Sequence, residues 1–246
     1  NPVGTANPVG TANPVGTANP VAPANPVGTW KWERDFNGNK IDYTLRISKD
    51  KEKLAGVFQT HFENAPPGMN EPITLEDLEL DGDTISFSVT RKFNENQFTV
   101  SYSGKLDGDK IDGDSKATFN GQPREFPWNA ERKLTADDVV GDWNLKLESP
   151  NGPIESRMTL EKKDDALTGT YHSSVFGDHS IKDIEIKEQS LQFHVTFDTD
   201  NGDITVNYEV KPTGNAAKGT AKADFGGQES EMSLTATRQP PAKQPN

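Results

Sequence analysis

From residue 28 onward, apolar and polar positions alternate with a period of two. Ile41, Tyr43, Leu45 and Ile47 are separated by single polar residues, as are Ile85, Phe87 and Val89, and Phe98, Val100 and Tyr102. The pattern returns in Leu191, Phe193, Val195 and Phe197, then in Ile204, Val206, Tyr208 and Val210. Successive side chains of a strand point to opposite faces, so this spacing predicts half-buried β-strands. Asn37-Gly38, Asn120-Gly121, Asn151-Gly152 and Asn201-Gly202, with Asp81-Gly82 and Asp107-Gly108, punctuate the runs. Such pairs suit tight hairpins, whose turn residues need a positive φ. Eight strands are expected before residue 134, at about 28–36, 40–48, 53–62, 73–80, 84–91, 97–104, 110–118 and 124–132. Helical spacing is absent, apart from room for one turn at Thr135 to Val139.

The same set of strands is then repeated. Val27-Gly28-Thr29-Trp30 matches Val140-Gly141-Asp142-Trp143 at an offset of 113, which also pairs Leu45 with Met158 and Ile47 with Leu160. Past Pro66-Pro67-Gly68 the offset falls to 106, a difference of seven residues in one loop. It then pairs Asp77 with Asp183, Phe87 with Phe193, Tyr102 with Tyr208, Gly113 with Gly219 and Arg132 with Arg238. One indel over a hundred residues marks a duplication. Eight strands with one apolar face leave two sticky edges if the sheet stays open, and closing it removes them. The expected fold is all-β: two tandem eight-stranded antiparallel up-and-down β-barrels with an extended N-terminal tail. The tail covers 1–26, the barrels 27–134 and 135–238, and a short C-terminal tail 239–246.

Gly28-Thr29-Trp30 and Gly141-Asp142-Trp143 on the first strands, with Arg132 and Arg238 ending the last, resemble the Gly-x-Trp and closing arginine of lipocalin-like (calycin) barrels. The whole pattern, including Trp-Asn-Ala-Glu-Arg at 128–132, is also similar to uncharacterised β-rich domains of secreted bacterial proteins. The resemblance covers both copies, roughly 105 residues each. It implies that Trp30 and Trp143 plug the closed ends of their barrels, with Arg132 and Arg238 lying across the indoles. The copies lack the disulfides and the long lid loop of typical lipocalins.

The first 24 residues are built on another repeat. Asn-Pro-Val-Gly-Thr-Ala stands at 1–6, 7–12 and 13–18, Asn-Pro-Val-Ala-Pro-Ala at 19–24, and the next hexad, Asn25-Pro26-Val27-Gly28-Thr29-Trp30, runs into the first strand. The tail thus copies the opening of the domain, with Ala where the domain needs Trp. An extended hexad presents the same stripe at every repeat, and 24 residues reach about 75 Å at about 3.1 Å each. Pro2, Val3, Pro8, Val9, Pro14, Val15, Pro20 and Val21 are the positions expected to dock on another subunit. A flexible linker is the plainer reading of the same residues.

Charge narrows the partners. The chain carries a net −12, distributed as none over 1–27, −4 over 28–134 and −8 over 135–246. An acidic surface without a basic cluster argues against nucleic acid. Neither a disulfide framework nor a thiolate site is possible without cysteine, and no apolar run is long enough to span a membrane. A chain opening on Asn1 instead of Met fits a processed secretory protein, so a secreted or periplasmic location is expected.

Candidate chemistry is sparse. Among the histidines His61, His172, His179 and His194, His194 lies between Phe193 and Val195 and so faces outward; His172 and His179 flank a loop with Asp178, which could hold a metal. Asp107, Asp109, Asp112 and Asp114, and Asp198, Asp200 and Asp203, form acidic groups, but neither sets its glycine where a calcium loop needs it. Nothing resembles a nucleophile elbow or a phosphate loop. Trp32 and Trp128, which face Leu145 and Leu234 of the second copy, either line a small pocket or pack a core. We therefore expect no enzyme, cofactor or metal, but a structural or interaction protein that self-associates through its tail into a filament or matrix. The alternative is a carrier of a small apolar or carbohydrate ligand in one barrel.

Overall fold

A computed structural model of the chain describes residues 24–36, 38–50, 53–63, 65–93, 96–119, 121–164, 166–200, 202–224 and 229–239. The positions Pro2 to Val21 lie outside the described residues. The first sheet consists of β1 (Gly28–Phe36), β2 (Asn39–Asp50), β3 (Lys53–His61), β4 (Ile73–Leu75), β5 (Glu79–Asp81), β6 (Thr84–Phe93), β7 (Asn96–Asp107), β8 (Lys110–Phe119) and β9 (Gln122–Arg132). After the single turn α1 (Ala136–Val139), the second sheet follows the same plan. It runs through β10 (Gly141–Ser149), β11 (Gly152–Lys163), β12 (Ala166–Ser173), β13 (Gly177–Ser180), β14 (Lys182–Lys187), β15 (Ser190–Phe197), β16 (Ile204–Thr213), β17 (Ala216–Asp224) and β18 (Glu229–Arg238).

Both sheets are antiparallel meanders whose first strand also pairs with the last, in the orders β4-β3-β2-β1-β9-β8-β7-β6-β5 and β13-β12-β11-β10-β18-β17-β16-β15-β14. Nine strands stand where eight are expected because the fourth is broken in the middle. Its first half pairs with the third strand and its second half with the fifth, so one bent segment carries the wall across. In the first copy Asp77 sits at the bend and accepts the Ser88 backbone N–H at 3.1 Å. In the second, Asp183 at the same place takes a φ of 49° and lies 3.3 Å from His194 Nδ1. His194 thus sits on the outer face, paired with a carboxylate.

The alternation does what its period requires. In β3, Gly56, Phe58 and Thr60 are buried while their neighbours are exposed; β10 buries Trp143, Leu145 and Leu147 in the same way. The two cores are separate, one centred on Trp30, Trp128, Phe58 and Phe87, the other on Trp143, Leu160, Phe193 and Tyr208.

The closed ends of both barrels share a construction. Trp30 Nε1 donates to the Pro26 carbonyl at 2.7 Å, and Trp143 Nε1 to the Val139 carbonyl at 2.8 Å. Arg132 lies 4.2 Å above the Trp30 ring and Arg238 4.6 Å above that of Trp143, within the range of a cation–π contact. Glycine is required beside each indole: Gly28 and Gly141 have φ of 134° and 124°, and a Cβ on Gly28 would come within 2.9 Å of the Arg132 guanidinium.

Candidate functional site

The most heavily built site lies where the tail meets the first barrel. The last hexad, Asn25 to Trp30, is held at almost every residue. Asn25 Oδ1 accepts the Val27 N–H at 3.1 Å in a local turn. Arg132 donates to the carbonyls of Asn25 at 2.6 Å and of Val27, and its Nε donates to Asp109 at 2.8 Å. Thr29 Oγ1 donates to Asp138 Oδ1 at 2.9 Å. Gly28 and Thr29 pair with Ile47 and Arg46 of β2, while the Thr29 carbonyl accepts Lys133 N–H at 2.8 Å on the other side. The Val27 side chain packs on the β16–β17 turn, where a Cβ on Gly214 would fall 2.7 Å from it. Burial pushes the Arg132 guanidinium below its usual range, opposed by the Asp109 carboxylate.

Around this seat the two barrels meet in a groove of about 1450 Å³. Ala24 to Thr29, α1 and the β16–β17 turn line it. Asp138 is its hinge pin. It accepts from Thr135 N and Oγ1 at 2.8 and 2.6 Å, capping α1, accepts from Thr29 of the first barrel, and offers its carbonyl to Arg238 of the second.

The walls of the barrels differ along the seam between first and last strands. In the second barrel the β10–β18 ladder runs over six pairs, from Trp143↔Arg238 to Glu148↔Ser233. In the first, the β1–β9 ladder stops after Trp30↔Arg132 and Lys31↔Glu131. The cause can be traced along β9. Arg132 N–H turns to β8, where it meets the Asp109 carbonyl, and Lys133 N–H turns to β1. The register with β8 is unbroken, so odd-numbered residues of β9 face β1 and Pro127 is among them. Proline has no N–H to give there. Arg34, which stands where the second barrel has Leu147, reaches across toward β8 and β9 instead. Its Nη2 donates to Ser115 Oγ at 2.9 Å and to the Pro127 carbonyl at 3.4 Å, and its guanidinium lies 4.3 Å over Phe126.

Inside the first barrel, Trp32 and Trp128 are buried in an aromatic cluster. Trp32 stacks on Tyr43 at 5.2 Å between centroids, and Trp128 meets Trp32, Phe87 and Tyr102 edge-on at 5.4 to 5.8 Å. Trp128 Nε1 has no acceptor among the described residues. Arg91 points inward from β6 at the far end, where the second barrel has Phe197. It donates to the carbonyls of Gly68 and Glu71 at 3.0 and 3.2 Å and to Thr60 Oγ1 at 3.1 Å, strapping the loop after β3 across the mouth. Burial lowers its guanidinium below the ordinary range. That loop contains the seven residues by which the copies differ, so the first barrel does have a lid of its own.

The remaining candidates form no reactive set. His172 Nδ1 lies 2.9 Å from Asp178, and its Nε2 lies 3.4 Å from Thr159 Oγ1. The Thr159 hydroxyl gives its proton to Asp142 at 2.7 Å, leaving none for His172 to take. His179 Nε2 lies 2.8 Å from the Phe176 carbonyl, and its ring packs on Phe197. No group of three metal-ligating side chains occurs among the described residues. Within the Asp107–Asp114 group, Asp109 serves Arg132. A loop tip of the second barrel, Val175 and Phe176, is exposed and apolar.

No protein-family model matches the chain, and no curated protein matches it. Among solved structures it is similar to a protein of unknown function from the DUF3598 family of Nostoc punctiforme. The identity is 10%, over 87% of this chain and 96% of that one, with a TM-score of 0.27. What the strands themselves define is a tandem antiparallel β-barrel protein. No helix among the described residues is long and apolar enough to cross a membrane.

Proposed function

We propose that this protein is a non-catalytic, secreted structural subunit with lipocalin-like barrels that self-associates through its N-terminal hexads. One observation carries the reading: the last hexad is already a strand opening gripped on both sides, through groups that the earlier hexads also possess. The contacts from Arg132 go to main-chain carbonyls of Asn25 and Val27, the local turn uses an Asn side chain, and the packing on Gly214 uses a Val. Asn, Pro and Val recur at 1–3, 7–9, 13–15 and 19–21. A segment that binds a barrel in its own chain is a ready ligand for the barrel of a neighbour. Head-to-tail contacts of this type grow into filaments when the rotation between subunits does not close, and into rings when it does.

Deletion of residues 1–24 tests the reading. Light scattering and negative-stain microscopy should show assemblies of the full chain and monomers of the shortened one. A full chain that stays monomeric, or a shortened chain that assembles equally well, would overturn it.

A further inference from the structure

A hexad arriving from another subunit needs an acceptor, and a closed barrel has no free strand edge. The first barrel has two along its β1–β9 seam, in addition to the short edges at the broken fourth strand that both barrels share. We propose that the open part of the β1–β9 seam receives a tail hexad, within residues 1–18, of a second copy, which adds as a strand between β1 and β9. The inference rests on the self-association reading and specifies where on the partner the tail binds.

The seam is of the right length and polarity. β1 pairs with β2 without a break from Gly28 to Phe36, so Glu33 and Asp35 turn their main-chain groups the same way as Thr29, toward β9. Neither has a ladder partner on β9. On the opposite bank the β9 edge is unpaired from Ala130 back to Gln122. Six extended residues span about 20 Å, and the free bank of β1 from Trp32 to Phe36 spans about 17 Å, so one hexad fills the opening. Within a hexad, Asn, Val and Thr turn their N–H and C=O groups to one edge and all three can donate. Pro, Gly and Ala turn to the other edge, which lacks one donor. The complete edge suits Glu33 and Asp35. The incomplete edge suits β9, where Pro127 is itself without an N–H and its carbonyl is loosely held by Arg34 at 3.4 Å. The tail has no charged residue, so it brings no charge of its own into the seam. Main-chain pairing gives such strand addition its affinity.

The second barrel shows what a closed seam needs. Lys146 faces Thr235 there, and the corresponding positions of the first barrel are Glu33 and Asn129. Glu33→Cys with Asn129→Cys in the full chain places a disulfide across the opening; the chain has no other cysteine to confuse the pairing. The oxidised variant, its disulfide verified by thiol titration, should be monomeric, and reduction should restore assembly. A fully oxidised variant that assembles like the parent overturns the proposal. A second variant, Arg34→Leu with Pro127→Ser, restores the second barrel's residues and should close the ladder without a disulfide; it too should fail to assemble. Hydrogen exchange gives a readout free of stapling: the Glu33 and Asp35 amides should exchange about tenfold or more slowly in the full-chain assembly than in the chain lacking 1–24. Equal exchange in both overturns the seam as acceptor. If deletion of the tail abolishes assembly and the staple does not, the acceptor lies elsewhere and self-association through the tail stands. If deletion changes nothing, that broader reading falls as well.

Discussion

The two barrels descend from one sequence and now solve the same closure differently. At the closed end both use a Trp, a glycine of positive φ and an arginine from the last strand. Arg132 gives its Nε–H to Asp109, whereas at the matching place the second barrel has Asn215, and Arg238 Nε is buried with no acceptor among the described residues. Along the seam the second barrel sets Leu147 against Leu234 and zips; the first has Arg34 and Trp128 at the matching positions, with Arg34 turned to Phe126 and Pro127, and its ladder ends early. The hydrophobic pattern thus dictates the barrel, whereas a few polar replacements decide whether its wall is continuous.

The closed end that both barrels share carries the largest expected effect. Trp30→Ala and Trp143→Ala should each lower stability by about 3–5 kcal/mol in denaturant unfolding, since each removes a fully packed indole. A loss confined to one of them would show that the closed ends are not equivalent. Next, Asp109→Asn gives the first barrel the second barrel's residue; it keeps an acceptor oxygen but removes the charge of a largely exposed carboxylate, and should cost about 1–1.5 kcal/mol. Alkali should separate the barrels as well. Burial pushes the phenols of Tyr43 and Tyr102 in the first barrel, and of Tyr208 in the second, above their ordinary value. A raised folded pKa means stability that is complete below the unfolded pKa of about 10 and falls as pH rises beyond it, by about 1.4 kcal/mol per unit for each tyrosine still protonated. With two such groups, the first barrel should unfold at lower pH, as read by phenolate absorbance and circular dichroism. The smallest effect is a gain: Asn215→Asp supplies Arg238 with the missing acceptor and should stabilise the second barrel by about 1 kcal/mol.

Much of this is written in the chain. The period of two, the Asn-Gly and Asp-Gly turns and the constant offset between copies specify the strands and their order. The break in the fourth strand is not legible, because Glu76 and Asp77 fit an exposed stretch of strand as readily as a bend. Arg91 is legible in retrospect: it continues the inward series Ile85, Phe87, Val89, and a charge at an inward position asks for acceptors, which the Pro66-Pro67-Gly68 loop provides. Pro127 marks the open seam for the same reason, since a proline inside a strand paired on both sides leaves one donor short. What alternation cannot give is which neighbour that donor would have faced, because it depends on the phase of the hydrogen bonds and not on the side chains. The seat of the last hexad combines groups from β9, the β7–β8 turn, α1 and the β16–β17 turn, distances in sequence that no local pattern spans.

Arg132 is fastened at once to the root of the tail and to the final strand of its barrel. A pull applied to the tail therefore does not peel β1 away from one end, hydrogen bond by hydrogen bond. The load passes through the guanidinium into the opposite bank of the wall and through Thr29 into Asp138, so that both barrels share the tension before either begins to tear.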